Sequence, residues 1–152
     1  MYSACLANLK DIRQRAERQS NLLSMTFKGM PFASVADAQA HQPLATLYFI
    51  NAVSILDDAL EIYMRVNFPA VDCEKQDTLG KRLTFLGSRS ITTNTDVLRS
   101  YKNKRNTFAH EVGRYGTWAE LWLVLEGIER EIQHLQSANS NQGPGAEEAA
   151  QR

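Results

Sequence analysis

Apolar residues recur at helical spacing along almost the whole chain. Leu6, Leu9, Ile12, Ala16, Leu22 and Leu23 predict a first helix that ends near Gly29-Met30-Pro31. Residues 31–42 have loop chemistry that admits helical turns. Pro43, favoured at a first helical position, opens a second helix that runs to Phe68, where Pro69 ends it. Its polar residues Asn51, Ser54, Asp58, Glu61 and Arg65 form one narrow stripe, and apolar residues cover the rest. So apolar a helix must lie at the centre of a bundle, or must face both its own core and a second chain.

After a connection over 69–76, a short helix is expected over 78–86, followed by a loop at Gly87-Ser88-Arg89-Ser90. Thr95 or Asp96 offers an N-cap for a fourth helix reaching roughly Val112. Gly113-Arg114-Tyr115-Gly116 breaks it, and Thr117 with Glu120 makes a capping box for a last helix. Trp118, Leu121, Trp122, Leu125, Ile128, Ile132 and Leu135 form its seam. From Ser137 the chain turns to Ser, Asn, Gln, Gly, Pro and Ala-Glu, which predicts a disordered tail. The expected architecture is all-α: one domain over 1–136, a bundle of four to five helices, and a disordered tail over 137–152.

With 152 residues, 43% hydrophobic and 22% charged, the chain has the composition of a single packed domain. A net charge of zero argues against a bulk polyelectrolyte binder, but the distribution is uneven. Nine basic and three acidic residues lie between Lys75 and Arg114, a local excess of +6 balanced by −6 elsewhere. A local anionic partner would need such a sector, although solvated helix faces carry charge too. Cys5 and Cys73 lack metal-ligand spacing and read as reduced thiols, which with the early charges Lys10, Asp11 and Arg13 leads us to expect a cytoplasmic protein without a signal peptide. The apolar stretch from Leu44 to Phe68 is interrupted by Asn51, Asp57, Asp58, Glu61 and Arg65, so no membrane span is expected.

Within the fourth helix, Tyr101, Phe108 and Val112 define the expected buried face. His110 lies two residues beyond Phe108 and Asn106 two before it, so both rotate about 200° away from that face. Asn106 and His110 are four apart and share one stripe, which Arg105 flanks. A cation, an amide and an imidazole gathered outside the core can handle a phosphodiester. Two other uses fit the same spacing: a helix C-terminal cation favoured by the macrodipole, or an Asn–His pair across an interface.

A helical bundle with Arg105-Asn106 followed by His110, late in the chain, resembles the HEPN superfamily, whose motif is Arg, a polar residue, variable positions and His. The resemblance covers about residues 43–136. It implies metal-independent RNA cleavage in catalytic members, which are homodimers with both motif helices lining one cleft. It also implies a bacterial toxin or phage-defence role with a cognate antitoxin or inhibitor protein. Other members bind or assemble without nuclease activity, and a non-catalytic binding or dimerisation module for a protein or nucleotide is the alternative here. In the nuclease reading His110 moves a proton, as histidines do near neutral pH. Arg105 then stabilises phosphate charge, Asn106 orients the imidazole or a phosphate oxygen, and Lys102, Lys104 and Arg114 contact the RNA backbone. A subgroup paired with nucleotidyltransferase antitoxins has Tyr two residues after the His. Val112 stands there instead, which counts against neutralisation by such a partner.

Other chemistries find less support. Asp57, Asp58 and Glu61 have no Glu-x-x-His companion and read as a solvated stripe, so no metal site is assigned. The 113–116 turn lacks the glycine spacing of a phosphate loop, and no cofactor is expected. His41 and His134 have no nucleophile partner in the pattern.

Overall fold

A computed structural model of the chain describes residues 1–27, 42–71 and 73–141. Five α-helices follow one another: α1 (Tyr2–Phe27), α2 (Gln42–Asn67), α3 (Leu79–Gly87), α4 (Thr95–His110) and α5 (Trp118–Asn141), with a 3-10 turn at Cys73–Gln76. No strand occurs among the described residues. The protein is an all-α bundle, as the periodicity predicts. The 31–41 part of the expected loop and the 142–152 part of the expected tail lie outside the described residues.

α2 is the central helix and packs on each of the other four, while α1 and α5 close the core beside it. Its Ala45, Phe49, Val53, Leu56, Leu60, Tyr63 and Met64 are all buried. Each large apolar side chain so placed contributes about 1.5–3 kcal/mol. By length and apolarity alone α2 could cross a membrane; in the bundle much of its apolar surface packs within the chain, while Leu47 and Val66 stay exposed. On α1 the seam is Tyr2, Cys5, Leu9 and Ala16, at alternating three- and four-residue steps with half-buried Ile12 between. Leu22, expected in that seam, is exposed, because the buried stripe of α1 passes along the other side of the helix. α5 contributes Leu121, Val124, Leu125, Ile128, Ile132 and Leu135.

Two boundaries differ from expectation. α4 stops at His110 and not near Val112, since Glu111 turns extended (φ −102°, ψ 114°) and Gly113 adopts φ +79°. Val112, expected in the buried face, is therefore fully exposed. α5 continues past Gln136 to Asn141, so residues 137–141 are helix and not tail. Ala138 packs against the core, and the Ser137 and Ser140 hydroxyls donate to the Gln133 and Gln136 carbonyls at 2.9 and 3.0 Å.

The polar stripe of α2 is more than solvated surface. Arg82 of α3, only 8% exposed, reaches back to the Asp57 carboxylate and, at 2.7 Å, to that of Glu61. Glu61 is held on its other side by Arg65 at 2.7 Å. Asp58 makes no ion pair with a described residue, and the Arg82 charge only partly offsets its surroundings. Burial, then the Asp57 and Glu61 charges, push its carboxyl above the usual range. A raised carboxyl favours the protonated form in the fold, so its charged form costs stability as pH rises through the folded value. Asp58→Asn is expected to raise Tm at pH 7, with the gain fading below about pH 4. Thermal melts across pH check it; an unchanged or lowered Tm at neutral pH would count against this assignment.

Candidate functional site

α4 begins where Asn94, one residue before the expected caps, accepts the Val97 N–H on its side-chain oxygen at 3.1 Å. The segment before it is pinned from α5. Glu131, wholly buried, accepts the Thr93 N–H at 3.1 Å and the Thr93 hydroxyl. Leu98 seats the first turns in the core. Further along, Tyr101 lies over Gly127 of α5, and Phe108 meets Phe49 edge-on with ring centres 5.1 Å apart. Such a ring pair adds about 0.5–1.5 kcal/mol beyond its buried area. Past the helix end, the Gly116 N–H donates to the buried Thr46 hydroxyl at 2.7 Å. Any Cβ at Gly116 would press on Phe108 at 3.0 Å. Both ends of α4 are thus fixed to α2 and α5.

Gly127 is the seat for Tyr101. An added Cβ there would run into the phenol, with Cζ and Cε2 at 3.1 Å. Burial already pushes that phenol upward in pKa. Gly127→Ala is expected to cost about 1–3 kcal/mol by overpacking, despite the better helix propensity of alanine. Denaturant unfolding reads it, and a stabilised variant would show that α4 can move off α5 freely.

This anchoring decides what the motif residues face. Asn106 and His110 are exposed, and Arg99 and Asn103 continue the same stripe at steps of four and three residues. Arg105 is half-buried, since it follows Tyr101 by four and Leu98 by seven and sits on the core-facing side. None of Arg105, Asn106 and His110 has a hydrogen bond or ion pair with a described residue. The imidazole stands in the last turn of α4, where the helix dipole favours a cation. An exposed imidazole and amide on one stripe, with a half-buried guanidinium at its flank, can hold a phosphate and move a proton beside it if the arginine's long fork reaches round.

The three expected backbone-contacting cations are placed differently from one another. Lys104 reaches across to Glu120 of α5 at 2.6 Å. The Lys104 hydrogen bond, then that of the Thr117 N–H, holds the Glu120 carboxyl below the usual range. Arg114 is exposed and loosely paired with Glu111 at 3.5 Å. Lys102 is half-buried and leans toward Gly80 of α3. Surface pairs like these are weak, so an arriving polyanion can recruit Lys104 and Arg114. Arg99 and Asn103 are not among the expected site residues, although their spacing with Asn106 and His110 is the signal that marks them.

The remaining candidates are committed elsewhere or lie outside the described residues. Asp57 and Glu61 bind Arg82, and no group of three or more metal-ligating side chains gathers among the described residues. His134 is on the surface with Nε2 2.9 Å from the Ile91 carbonyl oxygen. Cys5 is buried and burial pushes its thiol up. His41 and the Cys73 side chain fall outside the described residues. Comparison with protein-family models, with curated proteins and with solved structures finds no match for this chain.

Proposed function

We propose that this protein is a HEPN-like, metal-independent endoribonuclease with Arg105, Asn106 and His110 at its reactive centre. The observation that carries the reading is the combination of rigidity and freedom on α4. Phe108 and Tyr101 lock the helix, yet the three motif side chains have no partner among the described residues. Polar groups held ready on a fixed element are what electrostatic catalysis requires.

In this reading the RNA 2′-hydroxyl gives its proton to His110 and attacks the adjacent phosphorus. The P–O5′ bond breaks, leaving a 2′,3′-cyclic phosphate and a 5′-hydroxyl. Arg105 stabilises the charge gathering on the non-bridging oxygens. The departing O5′ must gain a proton. A second copy of the chain, with its own His110, supplies a general acid when two α4 helices meet across one cleft. A homodimer, RNA as substrate, and a toxin or defence setting with an inhibitor protein belong to the same proposal. One observation favours the non-catalytic alternative: Arg105 sits on the core-facing side of α4, where it can knit an interface.

The test is incubation of the wild-type protein with tRNA and mRNA in excess EDTA, with product ends mapped. Cyclic-phosphate and 5′-hydroxyl ends support the nuclease. No cleavage by a folded dimer overturns it in favour of the binding module.

A further inference from the structure

The basic sector extends beyond the motif helix. Along α3 runs a groove of about 530 Å³ lined among others by Lys75, Gly80, Lys81, Phe85 and Arg89. The Arg89 guanidinium lies 3.7 Å above the Phe85 ring centre, and Phe85 is braced edge-on by Phe68 at 5.2 Å. Nη1 of Arg89 donates to the Phe85 carbonyl at 3.1 Å, which helps fix the plane of the fork, while the residue as a whole is exposed. A flat cation stacked in this way is a platform that nucleobases accept.

Lys102 connects the groove to α4. Its Cε lies 3.1 Å, and its Nζ 3.5 Å, from where a Cβ on Gly80 would stand. The missing side chain at Gly80, which lines the groove, lets the Lys102 side chain lie against α3 beside it. From Lys102, Asn106 and then His110 follow at four-residue steps, a line about 12 Å long on one side of α4. Lys81 is paired with exposed Asp77 at 2.7 Å, a contact that phosphate can replace.

We propose that this groove carries the ribose-phosphate backbone of single-stranded RNA leaving the motif helix, passing Lys102 to Lys81 and Arg89, with one base stacked on the Arg89–Phe85 pair. The inference rests on the reading of α4 as the RNA-cleaving site. A single strand is required because only an unstacked base can use the platform.

The probe is a single-stranded RNA of about 12 nucleotides, 2′-O-methylated throughout so that it cannot be cut. Lys81→Gln/Arg89→Gln is compared with Lys10→Gln/Arg18→Gln, which removes the same charge from α1. The groove variant is expected to bind about tenfold more weakly, with a salt slope shallower by about 1.4, while the α1 variant matches wild type. Equal loss in both variants, or none in the groove variant, overturns the track. Binding lost only in the groove variant, with no cleavage of unmodified RNA by wild type, supports the track and refutes the nuclease. Cleavage by wild type with unchanged binding in the groove variant refutes the track and leaves the nuclease standing. Wild type that neither binds nor cuts refutes both.

Discussion

His110→Ala is expected to lower RNA cleavage by about 10²–10⁴-fold, the range by which a positioned general acid or base accelerates a reaction. The substitution removes an exposed side chain with no described partner, so the fold should survive it. No hydrogen bond or ion pair among the described residues is lost with it. Activity and stability therefore separate cleanly. Cleavage rates measured in excess EDTA, beside thermal melts of the same samples, give both readings. Undiminished cleavage by the variant would remove His110 from the chemistry. Arg105→Lys offers a second reading: a point charge replaces a bidentate fork, and a large loss of rate would show that the fork itself matters. Arg105 is half-buried where His110 is exposed, so an arginine confined to a packing role would show its loss in the melts.

The largest expected effect on stability belongs to Arg82→Ala. The substitution leaves the half-buried Asp57 and Glu61 carboxylates without the buried cation that joins them, with Arg65 still on Glu61. Breaking such a pair from one side costs about 3 kcal/mol. For a domain of this size that is a fall in Tm of about 6–12 °C. Arg82→Met combined with Asp57→Asn and Glu61→Gln removes the charges together and should recover much of the loss. A single variant that melts with wild type would mean that the two carboxylates are solvated after all. α3 is short, at nine residues, and apart from Leu79, Leu83 and Leu86 this network is what fastens it to α2. Loosening it also releases the groove and Lys102, so the Arg82 variant tests whether α3 must be docked for RNA to bind.

The helices were legible because their signals are local. The Thr117–Glu120 capping box forms as the spacing foretells, with the Glu120 N–H on the Thr117 hydroxyl at 3.2 Å and the Thr117 N–H on the Glu120 carboxylate at 3.0 Å. Thr78 accepts the Lys81 N–H at 3.4 Å at the start of α3, likewise within four residues. The rotation that turns Asn106 and His110 outward is equally local, and holds once Phe108 is seated. Two of the misreadings came from boundaries. Periodicity counted Val112 into α4, yet its side chain has no helix beneath it once Glu111 is extended. It placed the end of α5 at the change in composition, while Ala138 still had core to cover.

Periodicity and caps thus settle what lies in each helix and which way each residue turns, since those depend on neighbours within one or two turns. Partnership across helices is another matter. Arg82 meets Glu61 and Asp57 from 21 and 25 residues away, Thr93 meets Glu131 from 38, and Arg13 meets Glu129 from 116. Nothing in the spacing tells which carboxylate a given cation will reach, because that depends on the angle and distance at which packed helices cross. Packing made a solvated-looking stripe on α2 into an ion-pair site and put Lys104 on Glu120. Packing also opened Gly80 to Lys102 while Arg105, Asn106 and His110 stayed free of partners among the described residues.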